Sequence, residues 1–351
     1  PHDRHTCVTG WCRVHHGSEC LRDCEYFLLV HSHDHTDDCV ELPAKRTECE
    51  GSSVMIAVDM DGTLLRNDKS LSAENVRALR EAHFQHQRHI VIATGRMDAA
   101  LARYHPLLGD LPTYTVTYNG ARCAGPTCAV SSVEERAILH EFTVDSDLTR
   151  RVCKFAQKHR LFLNLYIHGK LMGIEDPELR PLADFYTNHT GAPYEFFSSY
   201  EEVWDLPSIK LLIVSPNEEH REEVMAKLFQ ELGPINAFRS NPEFCEILPT
   251  GVNKGVGLQA LCEELGVPMS EVIAFGDSEN DVEMLSMAGC GIAVANSRDS
   301  AKTAACKVSQ WTNEEDCVAQ ELDILFQKWQ GVSPPSLEEG LEQGGVDKAD
   351  Q

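Results

Sequence analysis

The sequence predicts an α/β protein built on a parallel sheet, with a different α/β segment interrupting the core. Three observations lead there. Apolar β-type runs alternate with helical apolar spacing across residues 53–120, which is the pattern of strands joined by crossover helices. The same alternation returns across residues 248–326. Several of these runs end in a cluster of carboxylate, hydroxyl, amide or cationic residues, and open α/β sheets bind ligands outside the carboxyl ends of their strands.

The first run, Val54–Val58, leads into Asp59-Met60-Asp61-Gly62-Thr63. Two carboxylates at the end of a buried strand are costly unless a metal or partner satisfies them. Glycine then allows a tight exit. Ser72 is placed to cap a helix through Glu74–His83. A second strand, His89–Ala93, ends in Thr94-Gly95-Arg96, and a third, Tyr114–Tyr118, ends in Asn119-Gly120. In residues 121–247, Ala137–Thr143, Leu161–Ile167 and Ile209–Val214 read as strands, and Asp147–His159 and Glu218–Leu232 as helices. The core then resumes with Gly251-Val-Asn-Lys254-Gly255. A strand through Phe275 follows and ends in Gly276-Asp277-Ser278-Glu279-Asn280-Asp281, then an amphipathic segment to Ala288 and a strand from Cys290.

Together these clusters supply what phosphoryl transfer needs: a nucleophile, a metal site and donors for the transferring oxygens. Simpler readings exist for each residue alone. Asp-x-Asp-Gly occurs in turns and calcium loops, but Leu64, Leu65 and Arg66 stand where a calcium loop needs oxygen ligands. Thr94 can cap a helix, Arg96 can serve a structural ion pair, Asn119-Gly120 can be an ordinary turn, Lys254 can be a solvated charge, and Asp281 can favour a helix's first turn.

Taken in order, Asp59-x-Asp61-Gly-Thr, Ala93-Thr-Gly-Arg96, Asn119-Gly-Ala, Lys254-Gly and Gly276-Asp-Ser-Glu-Asn-Asp281-x-Glu283-Met-Leu285 resemble the haloacid dehalogenase superfamily, and within it the Cof-like branch with a type IIB cap. The resemblance covers residues 54–326. It implies a Rossmann-like parallel sheet with helices on both faces, in segments 53–120 and 248–330, and an inserted α/β cap domain at 121–247. It implies that Asp59 attacks phosphorus and that Asp61 acts as general acid and then base, a role that favours a raised pKa. Lys254 would supply charge to the nucleophile and phosphate. Thr94, with Gly95, Arg96, Asn119 and Asn280, would bind phosphate or substrate. Mg2+ would be held by Asp59, Asp61 (through its backbone carbonyl), Asp277 and Asp281. The cap would choose the leaving group, with Asn164, Tyr166, His168, Lys210, Arg239 and Glu246 as polar candidates. Ala295 and Cys317 stand where the family often has glycine.

Composition bounds the partners. The 351-residue chain carries a formal net charge of −24, which argues against nucleic acid or an anionic membrane as its main partner. No run of about 20 apolar residues predicts a transmembrane helix. Residues 1–52 hold seven histidines and six of the 14 cysteines; they read as a disordered or accessory extension, although His31–His35 with Cys20 and Cys24 could bind a metal. The remaining cysteines are scattered, as free thiols in a reduced compartment would be, so a cytoplasmic or an organellar (plastid) setting fits. Residues 331–351 read as a disordered acidic tail. The expected function is a Mg2+-dependent phosphatase acting on a small phosphorylated metabolite, such as a sugar phosphate or phosphorylated cofactor, through an aspartyl-phosphate. The alternatives are a phosphomutase and a catalytically silent phosphate- or metal-binding protein. The sequence carries no signal for oligomeric state.

Overall fold

The computed structural model describes residues 54–127 and 136–329, together with the backbone of Cys7–Val8 and Trp11–Cys12. The chain divides into two units, Pro1–Leu42 and Pro43–Gln351. In the first, Cys7–Val8 pairs antiparallel with Trp11–Cys12. The expectations for His31–His35, Cys20, Cys24 and the acidic tail lie outside the described residues.

The second unit holds an eight-stranded sheet. Its strands are β1 (Met55–Val58), β2 (His89–Ala93), β3 (Thr113–Thr117), β4 (Arg122–Thr127), β5 (Ile138–Glu141), β12 (Val272–Gly276), β13 (Cys290–Ala293) and β14 (Lys307–Val308). The order across the sheet is β14-β13-β12-β1-β2-β3-β4-β5, parallel from β14 to β3 and antiparallel beyond. Helices cover both faces, so the central strands read as unbroken apolar runs. On one face Ile56, Val58, Ile90, Ile92 and Phe275 pack against α1 (Ala73–Phe84) and α7 (Cys317–Trp329). On the other, Met55, Ala57, Val91 and Ala274 pack against α5 (Lys254–Glu264) and α6 (Val282–Met287). Helix α1 begins as its sequence predicts: the Ser72 hydroxyl accepts from the Asn75 N–H at 3.1 Å, and Asn75, Ala78, Leu79 and Ala82 form the buried stripe.

A second sheet of six strands fills most of the interrupting segment. It contains β6 (Phe162–Ile167), β7 (Lys170–Ile174), β8 (Tyr194–Phe197), β9 (Ser208–Val214), β10 (Ala237–Asn241) and β11 (Phe244–Ile247), in the order β8-β7-β6-β9-β11-β10. One face packs on α2 (Ser146–His159) and α4 (Glu218–Leu232) through Leu163, Leu165, Leu211, Ile213 and Cys245. The opposite face carries Phe162, Tyr166, Leu212, Val214 and Phe244, which pack against α3 (Arg180–Thr190) and the core residue Tyr118.

Sheet membership corrects one sequence reading. The strand expected at Ala137–Thr143 in the inserted segment forms as β5, but it pairs with β4 in the eight-stranded sheet. Strands β4 and β5 therefore extend the first sheet, and the chain leaves it after Glu141 rather than at 121. The cause is β4: it returns antiparallel beside β3 and offers β5 an edge to pair with. Helices α2 and α4 match the sequence reading to within a residue. No helix among the described residues is long and apolar enough to cross a membrane.

The end of β3 is a tight point of the frame. Tyr118, Asn119 and Gly120 all take positive φ (52°, 53° and 102°), and a Cβ on Gly120 would lie 2.0 Å from the carbonyl oxygen of Asn253, the residue before α5. We expect Gly120→Ala to lower unfolding stability by about 3 kcal/mol or more, because backbone must move as well as φ. The control is Gly169→Ala, also at positive φ but with open space around it, for which about 1 kcal/mol is expected. Urea denaturation of both variants measures the difference.

Candidate active site

The site forms where the strand order reverses, between β1 and β12. Val58 pairs with Phe275, so the residues just beyond each strand, Asp59 and Asp277, leave the sheet side by side. The N–H of Asp59 still bonds the Phe275 carbonyl at 3.0 Å, which anchors the first carboxylate to the neighbouring strand. The turn after β1 then folds back, with Leu64 N–H on the Asp59 carbonyl and Leu65 N–H on that of Met60. Gly62 is required in this turn: its φ is +84° and a Cβ would sit 2.6 Å from Asp277 Oδ2.

Three carboxylates and one ammonium meet here. Lys254, the first residue of α5, is 1% exposed; its Nζ donates to Asp59 Oδ1 at 2.6 Å and to Asp281 Oδ1 at 2.7 Å. It is not the solvated charge that a helix start ordinarily carries. Asp281 is fully buried, and its other oxygen accepts from the backbone N–H groups of Asp277 and Ser278, both at 3.0 Å. Thr63 donates its hydroxyl proton to Asp277 Oδ1 at 3.2 Å. One ligand oxygen each from Asp59, Asp277 and Asp281 can be chosen so that all lie within 4.8 Å of one another.

The electrostatics follow from this crowding. Burial, then Asp281, pushes the Asp59 carboxyl well above its ordinary range, and Lys254 only partly opposes them. Burial and Asp281 likewise raise Asp277 to about 6. Burial works against the Lys254 charge, but Asp281 and Asp59 outweigh it and hold the amine protonated. Three carboxylates against one ammonium leave two negative charges unbalanced when all are ionised. The set fits a divalent cation in charge and in oxygen chemistry.

Asp61 lies in a different environment. Arg96 grips it with both arms, Nε to Oδ2 at 2.6 Å and Nη2 to Oδ1 at 2.7 Å, and Lys69 reaches Oδ1 at 2.9 Å. Partial burial alone would raise its pKa, but these two cations pull it down to about 2. This is opposite to the raised value that the general-acid role favours. Its carboxylate also stands outside the trio of Asp59, Asp277 and Asp281. Thr94, 1% exposed, does not cap the next helix; its hydroxyl accepts from the Arg96 N–H at 3.1 Å. Asn119 accepts from Asn280 Nδ2 at 2.9 Å, and a Cβ on Gly95 would lie 2.9 Å from Asn119 Oδ1, so these three expected residues share one wall.

Thr63, Lys69 and Tyr118 were not among the site residues expected from the sequence. Thr63 lies inside the first motif and Tyr118 beside the Asn-Gly turn, so both were within reach of it. Lys69 has no motif around it, and its positive φ of 67° is visible only in the fold.

Residues 56–322 match the sequence model of haloacid dehalogenase-like hydrolases, and the chain belongs to that family. The chloroplastic endoribonuclease YBEY of Arabidopsis thaliana is 28% identical over 273 residues, which is 76% of this chain but 45% of that protein, so the match spans under half of the plant relative. The 5-amino-6-(5-phospho-D-ribitylamino)uracil phosphatase YitU of Bacillus subtilis is 26% identical over 289 residues, covering 79% of this chain and 99% of that one. A solved haloacid dehalogenase-like hydrolase from Bacteroides thetaiotaomicron superposes with a TM-score of 0.66 at 27% identity, over 78% of this chain and 100% of that structure.

The raised carboxyls generate a stability prediction. A carboxyl with a raised folded pKa binds its proton more tightly when folded, so without cation the protein loses stability as pH climbs from about 4 through 6 and above. Saturating divalent cation should restore it, raising the melting temperature by about 5 °C or more at pH 7.5 and far less at pH 4.5. Melting curves with added cation and with EDTA, at both pH values, measure this; equal shifts at both would contradict it.

Proposed function

We propose that this haloacid dehalogenase-like hydrolase is a Mg2+-dependent phosphatase that hydrolyses small phosphomonoesters through an aspartyl-phosphate on Asp59. The observation that carries this reading is the convergence of Asp59, Asp277 and Asp281 at the switch point of the sheet, with buried Lys254 bridging Asp59 and Asp281. Mg2+, held by Asp59, Asp277 and Asp281 with the Asp61 carbonyl, would neutralise the excess charge and polarise the phosphate oxygens. YitU, a relative along nearly its whole length, is named as a phosphatase of a phosphorylated small molecule, which supports the same substrate class.

In this reading an Asp59 oxygen attacks phosphorus, and the bond to the leaving oxygen breaks as Asp61 hands that oxygen a proton. Asp61, now ionised, removes a proton from water, whose oxygen attacks phosphorus and frees Asp59 and inorganic phosphate. Lys254 orients the nucleophile through its 2.6 Å bond and balances phosphate charge. Thr94, Gly95, Asn119 and Asn280 form the wall against which the phosphate oxygens are bound. Arg96 has two states: it holds Asp61 ionised in the absence of substrate, and it turns to the incoming phosphate, releasing Asp61 to carry a proton. The second sheet, with α2, α3 and α4, serves as the cap that excludes water and selects the leaving group.

Asp59→Asn should reduce phosphate release from any phosphomonoester to background. Asp61→Asn should slow it about 100-fold or more. EDTA should stop the wild-type enzyme and Mg2+ should restart it. A phosphate-release assay with p-nitrophenyl phosphate and sugar monophosphates measures all three; full turnover by Asp59→Asn rejects the mechanism.

A further inference from the structure

The turn that carries Asp59 and Asp61 is gripped from outside by three asparagines, each from a different part of the chain. Asn296, in the loop after β13, donates from Nδ2 to the Gly62 carbonyl at 2.8 Å. Asn75, in the first turn of α1, donates to the Leu64 carbonyl at 3.1 Å. Asn313, just before α7, donates to the Leu65 carbonyl at 2.9 Å and to Asn67 Oδ1 at 3.2 Å. Side-chain amides thus hold the carbonyls of Gly62, Leu64 and Leu65, while the N–H groups of Leu64 and Leu65 close the turn on Asp59 and Met60.

Each amide is also tied at a second point. Asn75 Oδ1 accepts from the Ala319 N–H in α7 at 3.0 Å, and Asn296 Oδ1 accepts from the Asn313 N–H at 2.9 Å. An amide carries donor and acceptor on one rigid plane, so it can hold one backbone segment at a set distance from another. The next residues of the turn are tied to the same segment before α7: Arg66 Nη2 meets both oxygens of Asp316 at 3.0 Å, and the Asn67 N–H meets Glu314 Oε1 at 2.6 Å.

A buried carbonyl needs a donor whatever the protein does. That accounts for Asn75 and Asn313, which are buried. It does not account for Asn296, which is exposed and whose bond to Gly62 lies in the open, where water could serve as well. Gly62 stands between Asp61 and Thr63 at a φ of +84°. Glycine is the residue whose backbone turns most freely, so it is the point at which this turn would give way. Asn296 pins the carbonyl at that point.

We propose that Asn296, with Asn75 and Asn313 behind it, is a positioning residue: it fixes the turn at Gly62, so that Asp59 and Asp61 keep their aim at phosphorus and the leaving oxygen. This rests on the phosphatase reading above. The bonds of the three amides go to backbone and to Asn67, so they act through the turn. The geometry of the catalytic turn is thereby set from the C-terminal part of the core, by the loop after β13 and the start of α7.

The test compares the full-length protein with Asn296→Ala, and with Gln259→Ala as the control. Gln259 is also an exposed amide, and it bonds only Glu263 on its own helix, at 2.9 Å. With p-nitrophenyl phosphate and Mg2+, kcat of Asn296→Ala should fall about 10-fold or more while KM stays within about 2-fold. Gln259→Ala should keep both. Asn296→Gln, which can still donate to the Gly62 carbonyl, should recover about 3-fold or more of the loss. Amide hydrogen exchange reads the turn without turnover: in Asn296→Ala the peptide spanning Asp59–Leu65 should exchange about 5-fold faster, with β2 unchanged. A kcat within about 2-fold of wild type, or a loss carried by KM alone, overturns the proposal. Unchanged exchange in the turn overturns it too. If wild type releases phosphate from neither p-nitrophenyl phosphate nor a sugar monophosphate, the phosphatase reading fails instead. Exchange alone then decides whether Asn296 holds the turn.

Discussion

The bridge from Lys254 to Asp59 and Asp281 is the interaction on which the rest of this structure depends. An isolated carboxylate in a protein interior is so unfavourable that it is either paired or protonated. Here three converge, and the one cation that meets two of them is itself 1% exposed. Asp59 and Asp281 depend on Lys254 for their pairing and Lys254 on them, and the three carboxylates still leave an excess of negative charge. The surrounding backbone serves that constraint. Parallel strands β1 and β12 deliver Asp59 and Asp277 at one level, two backbone N–H groups fix Asp281, and the strained end of β3 packs against the residue before Lys254. The glycines at 62, 95, 120 and 276 are places where a side chain would strike this assembly or the backbone that holds it.

What could be read from the sequence, and what could not, divides along physical lines. The central strands β1, β2 and β12 are buried on both faces, so their apolar runs are continuous and their polar ends abrupt. The charged pattern at those ends is local: Asp59 follows β1, and Asp277 and Asp281 follow β12 within one motif, so the family resemblance could pick them out as a set. Strands β4, β7, β8, β10, β11 and β14 were missed. They are short or carry polar residues such as Arg122, Lys170, Glu195, Arg239 and Glu246, and their pairing is decided by neighbours far away in the chain. The same holds for side chains. Lys254 begins a helix, where a lysine is ordinarily solvated, and only the approach of two distant strand ends buries it. Lys69 reaches Asp61 from a loop with no periodicity, and Lys210 and Glu246 lie 36 residues apart in sequence yet pair at 3.1 Å.

The second sheet shows how one layer can serve two purposes. Its α2/α4 face is an ordinary apolar core, with Leu163, Leu165, Leu211 and Ile213 locking it together. That face alone can supply the layer's stability. The opposite face, apolar through Phe162, Leu212, Val214 and Phe244, also carries the Lys210–Glu246 pair, with the Lys210 ammonium 5.8 Å from the centre of the Tyr118 ring.

Asp59 and Asp61 are two residues apart in one turn, yet the fold drives their proton affinities in opposite directions. Asp59 is raised by burial and Asp281, whereas Asp61 is lowered to about 2 by Arg96 and Lys69. The divergence of paired carboxyls is a familiar basis for assigning acid and nucleophile, but here it runs the wrong way for the proposed chemistry: the proton affinity of the proposed nucleophile is raised and that of the proposed acid is lowered. In the proposed reaction the reactants correct both: a divalent cation on the trio would favour ionised Asp59, and a phosphate that draws Arg96 away would lift the larger of the two pulls on Asp61, leaving that of Lys69. On the proposed mechanism, the site becomes competent only when cation and substrate are both present. That restraint follows from one constraint, since the charges that make the site reactive are too costly to leave uncompensated in the empty protein.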